Sequence, residues 1–247
     1  MVLKDWYELP HYMKNESVRR YYDVLCKKST SLKLKRLFDV VVSAIMLVVA
    51  LPAMLVIAVM IKCDSRGPVF FCQKRVTQYG RVFRILKFRT MVDKAESKGS
   101  QVTVGDDNRI TRVGAMLRRL RLDELPQLFN VLAGDMTYVG TRPEVVRYVR
   151  RYGDEYMATL LLPAGITSLA SIRYKDEDEL LEQGIERARQ AAQAGIDDDM
   201  DMNGLVDDVY VNEILPGKMK YNLEGIERFS LLGELRIMVS TVLAVLR

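Results

Sequence analysis

Val40-Val-Val-Ser43-Ala-Ile-Met-Leu-Val-Val-Ala-Leu-Pro52-Ala-Met-Leu-Val-Ile-Ala-Val-Met-Ile61 decides how the rest of the chain is read. These 22 consecutive residues carry no charge, and Ser43 is the only clearly polar one. A run of this length suits a membrane helix. The competing reading is a helix buried in a protein core. Pro52 lies near the middle, where it removes a backbone donor and kinks the helix. Basic residues flank both ends: Lys27, Lys28, Lys33, Lys35 and Arg36 before, Lys62, Arg66, Lys74 and Arg75 after. Positive charge marks the cytoplasmic side of a bilayer. Positive flanks at both ends therefore predict a broken helix that dips into one leaflet and returns. Backbone groups freed at the kink must then find partners or stay near the interface.

Outward from this run the chain changes character. Upstream, residues 1–30 read as an amphipathic lead-in rich in interfacial aromatics (Trp6, Tyr7, Tyr12, Tyr21, Tyr22), or as an ordinary surface helix. No cleavable leader is expected, because the apolar run starts late and lacks a small-residue cleavage site. Downstream, residues 62–89 hold eight Lys or Arg against one acid, Asp64, within a chain of net charge +5. That asymmetry suggests an anionic partner, either lipid head groups or phosphates. Residues 176–208 are acidic instead. The three cysteines lack C-x-x-C spacing, which argues against a disulfide framework. His11 is the single histidine, so histidine-based catalysis and a His-rich metal site are not expected.

A β-hairpin is predicted from residues 69–75 and 82–89 around Gln78-Tyr79-Gly80. Alternation along its second strand puts Lys87 and Arg89 on one face, as a small basic shelf or a solvated face. Residues 91–108 read as a loop and 110–122 as a basic helix. Then comes Arg121-Leu-Asp123-Glu124-Leu-Pro126-Gln127, with Arg118 and Arg119 just before it. Carboxylates beside arginines are expected to stay ionised. An ionised carboxylate can hold a divalent cation or attack phosphorus. The following Gly140-Thr-Arg142-Pro143 turn can fork an arginine onto phosphate oxygens. A capped surface helix with an acidic first turn is the plainer alternative. Further on, the spacing predicts a helix over 143–162, a break over 163–167 and an extended segment over 168–174. Helices follow over 176–194, 205–215 and 231–246, the last suited to lie on a membrane surface. Asp197-Asp-Asp-Met-Asp201 lacks the glycine and glutamate of a calcium loop and reads as solvated.

Taken together these motifs resemble the bacterial sugar transferases, the monotopic polyprenyl-phosphate phosphoglycosyl transferases. The resemblance is carried by Lys35-Arg-Leu-Phe-Asp39, Pro52, Gly67-Pro-Val-Phe-Phe71 and Phe83-Arg-Ile-Leu-Lys87-Phe-Arg89-Thr-Met91. It continues through Leu122-Asp-Glu-Leu-Pro-Gln-Leu-Phe-Asn-Val-Leu-Ala-Gly-Asp-Met136, Gly140-Thr-Arg-Pro143 and Val206-Asp-Asp-Val-Tyr-Val211. It implies an α/β fold, mostly helical with a small β-hairpin. Residues 1–34 would be the lead-in, 35–62 the re-entrant helix, and 63–247 the catalytic domain with its interfacial C-terminal helix. The implied reaction moves a sugar 1-phosphate from a UDP-sugar to undecaprenyl phosphate at the cytoplasmic face of the bacterial inner membrane, releasing UMP. Asp123 would be the nucleophile and Glu124, with Asp123, the Mg²⁺ ligand. Lys87, Arg89, Arg118 and Arg142 would bind substrate. The chain departs from the family pattern at Leu51, at Thr141 and across Ala164-Gly-Ile-Thr-Ser-Leu-Ala-Ser-Ile-Arg-Tyr-Lys175, where Arg173 or Lys175 stands in for a missing arginine.

A different class of function is a non-catalytic, membrane-anchored scaffold for a glycan-assembly complex. Membrane lipids are expected partners under either reading, and a homo-oligomer is compatible with both. A nucleic-acid partner is not expected, since no such motif is present and the apolar run would go unexplained.

Overall fold

The computed structural model describes residues 3–93, 109–174, 177–194 and 202–245. After two short 3-10 turns the chain enters α1 (Glu16–Cys26), which Asn15 caps by accepting from the Val18 amide. Leu9, Met13, Val18, Tyr21, Tyr22 and Leu25 are buried against Leu160, Leu161, Ile226 and Phe229. Most of the lead-in's hydrophobic face is thus spent on the protein. Trp6 meets Tyr22 edge-on at 5.1 Å, while Tyr7 stays exposed.

Helix α2 (Ser29–Asp64) is a single element of 36 residues, roughly 54 Å long at the usual helical rise. The expected break at Pro52 is not seen: every residue from 29 to 64 is helical. Pro52 lacks the N–H that would bond the Val48 carbonyl and its ring crowds that carbonyl, which bends a helix, but the turns on either side carry the helical assignment through. The element also begins at residue 29, before the expected 35. Only 17% of its most apolar window is buried, so the core-helix reading fails, and its length and composition suffice to cross a membrane.

The buried face of α2 explains how it is held. Lys35, Asp39 and Ser43 recur every fourth residue, which places them on one face. Lys35 donates to the Val139 carbonyl (3.0 Å) and to Glu234 (2.7 Å). Asp39 accepts from the Thr137 hydroxyl at 2.6 Å, and Ser43 donates to the Tyr138 hydroxyl at 3.1 Å. Further along, Leu47, Met54, Ile57 and Ile61 continue the contact as apolar packing. The opposite face carries Val48, Val49, Leu55, Val56 and Val59, all exposed.

Strands β1 (Phe70–Val76) and β2 (Val82–Phe88) form the expected antiparallel hairpin, with Phe70 opposite Phe88 and Val76 opposite Val82. Helix α3 (Arg112–Arg119) follows; Thr111 caps it, and Asp64 accepts from the Val113 amide. Gly114 is required there, since a Cβ would lie 2.0 Å from the Thr90 carbonyl oxygen. Helix α4 (Gln127–Ala133) starts after Pro126. Its Asn130 side chain pairs with β2 as a strand would, accepting from the Leu86 amide and donating to the Arg84 carbonyl, both at 2.9 Å.

Strand β3 (Met136–Val139) then leads to α5 (Val146–Val149), a 3-10 segment over Asp154–Leu161, and strand β4 (Ala164–Thr167). The long helix expected over 143–162 is therefore split. The segment read as a break is a strand, parallel to β3. The segment read as extended is helix α6 (Leu169–Arg173), started by the Ser168 hydroxyl accepting from the Ser171 amide. At the crossing of the two strands a Cβ on Gly165 would lie 2.2 Å from the Gly140 nitrogen. Glycine there lets the chain just before Arg142 be pinned by Gly140 to Thr167 (3.0 Å) and by Gly165 to Thr141 (2.8 Å).

Helix α7 (Glu177–Ala194) and helix α10 (Leu231–Val245) fall where expected. Between them, α8 (Met202–Val209) runs through a π-turn into α9 (Leu215–Glu227), longer than the helix predicted over 205–215. Most of the predicted 91–108 loop and the Asp197–Asp201 tract lie outside the described residues.

Candidate active site

A cleft of about 770 Å³ opens between the hairpin, α3, the turn after α3 and the loop after β3. Its key turn is Leu122–Glu124, entered through Arg121 with φ 54°. A left-handed arginine costs roughly 1–2 kcal/mol. It ends α3 sharply and turns the two carboxylates toward the cleft, which both line.

Glu124 is the charge centre. Its Oε1 accepts from Lys87 Nζ and from Arg142 Nη2, each at 2.8 Å. Burial alone would raise this carboxyl, but Arg142 and Lys87 together hold it well below the usual range. Glu124 reciprocally raises the Arg142 guanidinium further against its own burial. Burial lowers the Lys87 ammonium, against the pull of Glu124.

Asp123 behaves oppositely. It is buried, and its Oδ1 has no hydrogen-bond partner among the described residues. Burial raises its carboxyl despite Lys87, Arg118 and Arg121 nearby. The sequence reading expected Asp123 to stay ionised because of its arginines; it did not include burial, which shifts the group in the opposite direction to those cations. A buried oxygen without a partner is costly and calls for an explanation.

Of the other predicted residues, Arg118 lines the cleft and donates from Nε to the Thr90 hydroxyl at 2.9 Å. Arg89 also borders it, but its guanidinium is committed elsewhere: it donates to the Arg66 carbonyl and the Ser65 carbonyl, both at 2.7 Å, and to the Ser65 hydroxyl. Lys87 and Arg89 therefore form no shared shelf. Alternation fixes a face but not a partner, and Arg89 lies one residue past the strand. Arg173 is exposed at the end of α6 and does not border the cleft. Lys175 lies outside the described residues.

Sequence reading missed Glu144, Tyr210 and Lys218, which line the same cleft. The available signals were Glu144 two residues past Arg142, and a lysine on the buried face of α9 among Leu215, Met219, Leu223 and Ile226.

Among the described residues no group of three His, Cys, Asp or Glu is placed to enclose a metal. The adjacent Asp123 and Glu124 carboxylates nevertheless fit Mg²⁺, which takes one or two carboxylates and fills its shell with water and phosphate oxygens. The partnerless Asp123 Oδ1 is an oxygen available for such a contact or for reaction.

Fold and site together define an α/β protein with a long exposed apolar helix and a cationic cleft around a carboxylate pair. The chain belongs to the bacterial sugar transferase family, whose sequence profile matches residues 30–188. It is 44% identical over 142 residues to the UDP-N-acetylgalactosamine-undecaprenyl-phosphate N-acetylgalactosaminephosphotransferase of Aeromonas hydrophila, covering 56% of this chain and 34% of that one. It is 35% identical over 216 residues to the UDP-glucose:undecaprenyl-phosphate glucose-1-phosphate transferase of Xanthomonas campestris, covering 86% and 38%. It is 42% identical over 150 residues to the exopolysaccharide production protein PSS of Rhizobium leguminosarum, covering 58% and 74%. The chain thus spans little more than a third of the first two relatives and about three quarters of the third.

Proposed function

We propose that the chain is a phosphoglycosyl transferase that moves a sugar 1-phosphate from a UDP-sugar to undecaprenyl phosphate and releases UMP. The observation that carries this reading is the buried, partnerless Asp123 Oδ1 in a cleft lined by Lys87, Arg118 and Arg142. A scaffold would have no use for such an oxygen. Asp123 attacks the phosphorus bearing the sugar. The bond from that phosphorus to the UMP oxygen breaks, UMP leaves with the electron pair, and an acyl-phosphate remains on the enzyme. An oxygen of undecaprenyl phosphate then attacks the same phosphorus and expels the Asp123 carboxylate. No general base is needed, because the attacking phosphate is already an anion. Arg142 and Lys87 balance charge on the transferring group, and the arginine fork suits phosphate oxygens. Mg²⁺, held by Glu124 and Asp123, would supply further neutralisation of phosphate charge.

The lipid acceptor requires the cleft to sit at a bilayer surface. The exposed face of α2 meets that need, and the basic residues at both its ends favour placing both on the cytoplasmic side of the inner membrane, with α2 bent at Pro52 rather than unwound there. The curated relatives act on different sugars by name, and both glucose and N-acetylgalactosamine belong in the test panel. Enzyme incubated with a UDP-sugar alone should carry a phosphosugar on the peptide containing Asp123, seen by mass spectrometry. Asp123→Asn should release no UMP, with or without acceptor, and EDTA should stop turnover until Mg²⁺ is restored. An adduct on another residue, or normal turnover by Asp123→Asn, refutes the assignment.

A further inference from the structure

The same cleft holds a second buried charge cluster. Glu144 and Lys218 are 6% and 5% exposed. Tyr210 donates to Glu144 Oε1 at 2.6 Å, and Lys218 Nζ donates to the Tyr210 hydroxyl at 2.8 Å. Lys218 also reaches Glu177 at 2.9 Å and Glu144 at 3.5 Å. We propose that Glu144, Lys218 and Tyr210 form a binding subsite for a vicinal diol of the donor, a proposal that rests on the donor being a nucleotide sugar.

Stability does not explain the cluster. A buried ion pair is generally no better for stability than apolar side chains of like volume. Val209, Ile214, Leu215 and Met219 pack in the same region, so an apolar filling was within reach. The charges are kept at a cleft wall instead. Each hydroxyl of a diol both donates and accepts. A carboxylate beside an ammonium satisfies two neighbouring hydroxyls at once, the first accepting and the second donating. Position agrees with chemistry: Glu144 lies two residues past Arg142, so a ligand whose phosphate meets Arg142 brings its adjoining ring toward Glu144. The ring of Tyr210, 4.7 Å from that of Tyr148, adds an aromatic surface beside the polar pair. Both the ribose and the hexose of a UDP-hexose carry vicinal diols, so the test separates them.

Binding is measured by titration calorimetry on the full chain in detergent, in the Asp123→Asn background so that no adduct forms. The ligands are UDP-glucose and UDP-N-acetylgalactosamine, their 2′-deoxyribose forms and their deoxyhexose forms. The Glu144→Gln/Lys218→Met double variant removes both charges of the buried pair together; Glu177, which loses Lys218, is partly exposed and can be hydrated. The double variant should weaken binding of the better intact donor at least about ten-fold, the loss of one hydrogen bond to a charged group. Removing the recognised hydroxyl from the donor should cost the unmutated cluster about as much, and the double variant nothing further. A loss confined to the 2′-deoxyribose ligands assigns the ribose, and one confined to the deoxyhexose ligands assigns the sugar. Tyr210→Phe keeps the ring contact and removes the bridging hydroxyl; it should weaken binding in the same ligand-specific way, even if the double variant folds poorly. Unchanged affinity in both variants, additive losses from protein and ligand, or no binding of any donor overturns the subsite. Diol-dependent binding by a chain that, with Asp123 intact, releases no UMP would instead leave the subsite standing and reject the transferase reading.

Discussion

Two adjacent carboxylates in one short turn are held in opposite electrostatic states. The Asp123 carboxyl is raised by burial, so its ionised form costs stability in the folded protein. Glu124 is lowered, so its charge stabilises the fold above the ordinary carboxylate range, and that contribution fades as pH falls through its depressed folded value. Neutral amides should therefore act with opposite signs at pH 7. Asp123→Asn should raise the thermal midpoint, by about 2–4 °C for each kcal/mol regained, while abolishing turnover. Glu124→Gln should destabilise by about 3 kcal/mol, because Lys87 and Arg142 lose their shared partner. Differential scanning fluorimetry in detergent compares the two, and shifts of the same sign would contradict this account. The sequence displayed the carboxylates and their cationic neighbours, but not this opposition. Lys87 and Arg142 reach Glu124 across 37 and 18 residues, and burial of Asp123 depends on where α3 stops.

Elements were legible where a local rule was strong. The hairpin has clear alternation and a turn, and α4 has Pro126 before it. The stretch from Pro143 to Arg173 was misread because its pattern is set by distant partners: β4 exists through pairing with β3, and α6 through the Ser168 cap. Helix α10 was predicted from apolarity alone, and its polar attachment was not foreseen. Glu234 on α10 bonds the buried Lys35 of α2. Burial raises Glu234 to about 7, against the pull of Lys35 and helped by Asp39. An acid whose folded value lies above its unfolded one loses stability as pH rises between the two and then levels off. Unfolding free energy should thus fall from about pH 4.5 to about pH 7, by up to roughly 3 kcal/mol, and stay flat above. Glu234→Gln should remove its share of that slope, leaving only what the raised Asp123 carboxyl adds. Denaturant unfolding in detergent from pH 4 to 9 measures it, and an unchanged slope would place the titration elsewhere.

At the scale of the whole molecule, the proposed function makes the orientation of α2 relative to a bilayer decide how the cleft would meet a lipid acceptor. If α2 dips and returns, its two ends share the cytoplasmic side. Residue 35 is too buried to report this, at 1% exposure, whereas Lys33 and Arg66 are exposed. With Cys26, Cys63 and Cys72 replaced by serine, Lys33→Cys and Arg66→Cys should both react with an impermeant thiol reagent only in inverted vesicles. Reaction of the two from opposite sides would mean that α2 crosses. Either outcome leaves a constraint that the packing of α2 already imposes. The helix with the exposed apolar face also supplies Leu47, Met54, Ile57 and Ile61 to the core beneath the hairpin, and Lys35 and Asp39 to the backbone and side chains of β3. Helix α2 and the body of the protein are one folding unit. A truncation that starts after residue 64 to obtain a water-soluble fragment would uncover Leu128 and Val131 and release the strand that leads to Arg142. Biochemistry on this chain therefore belongs in detergent, nanodiscs or native membrane.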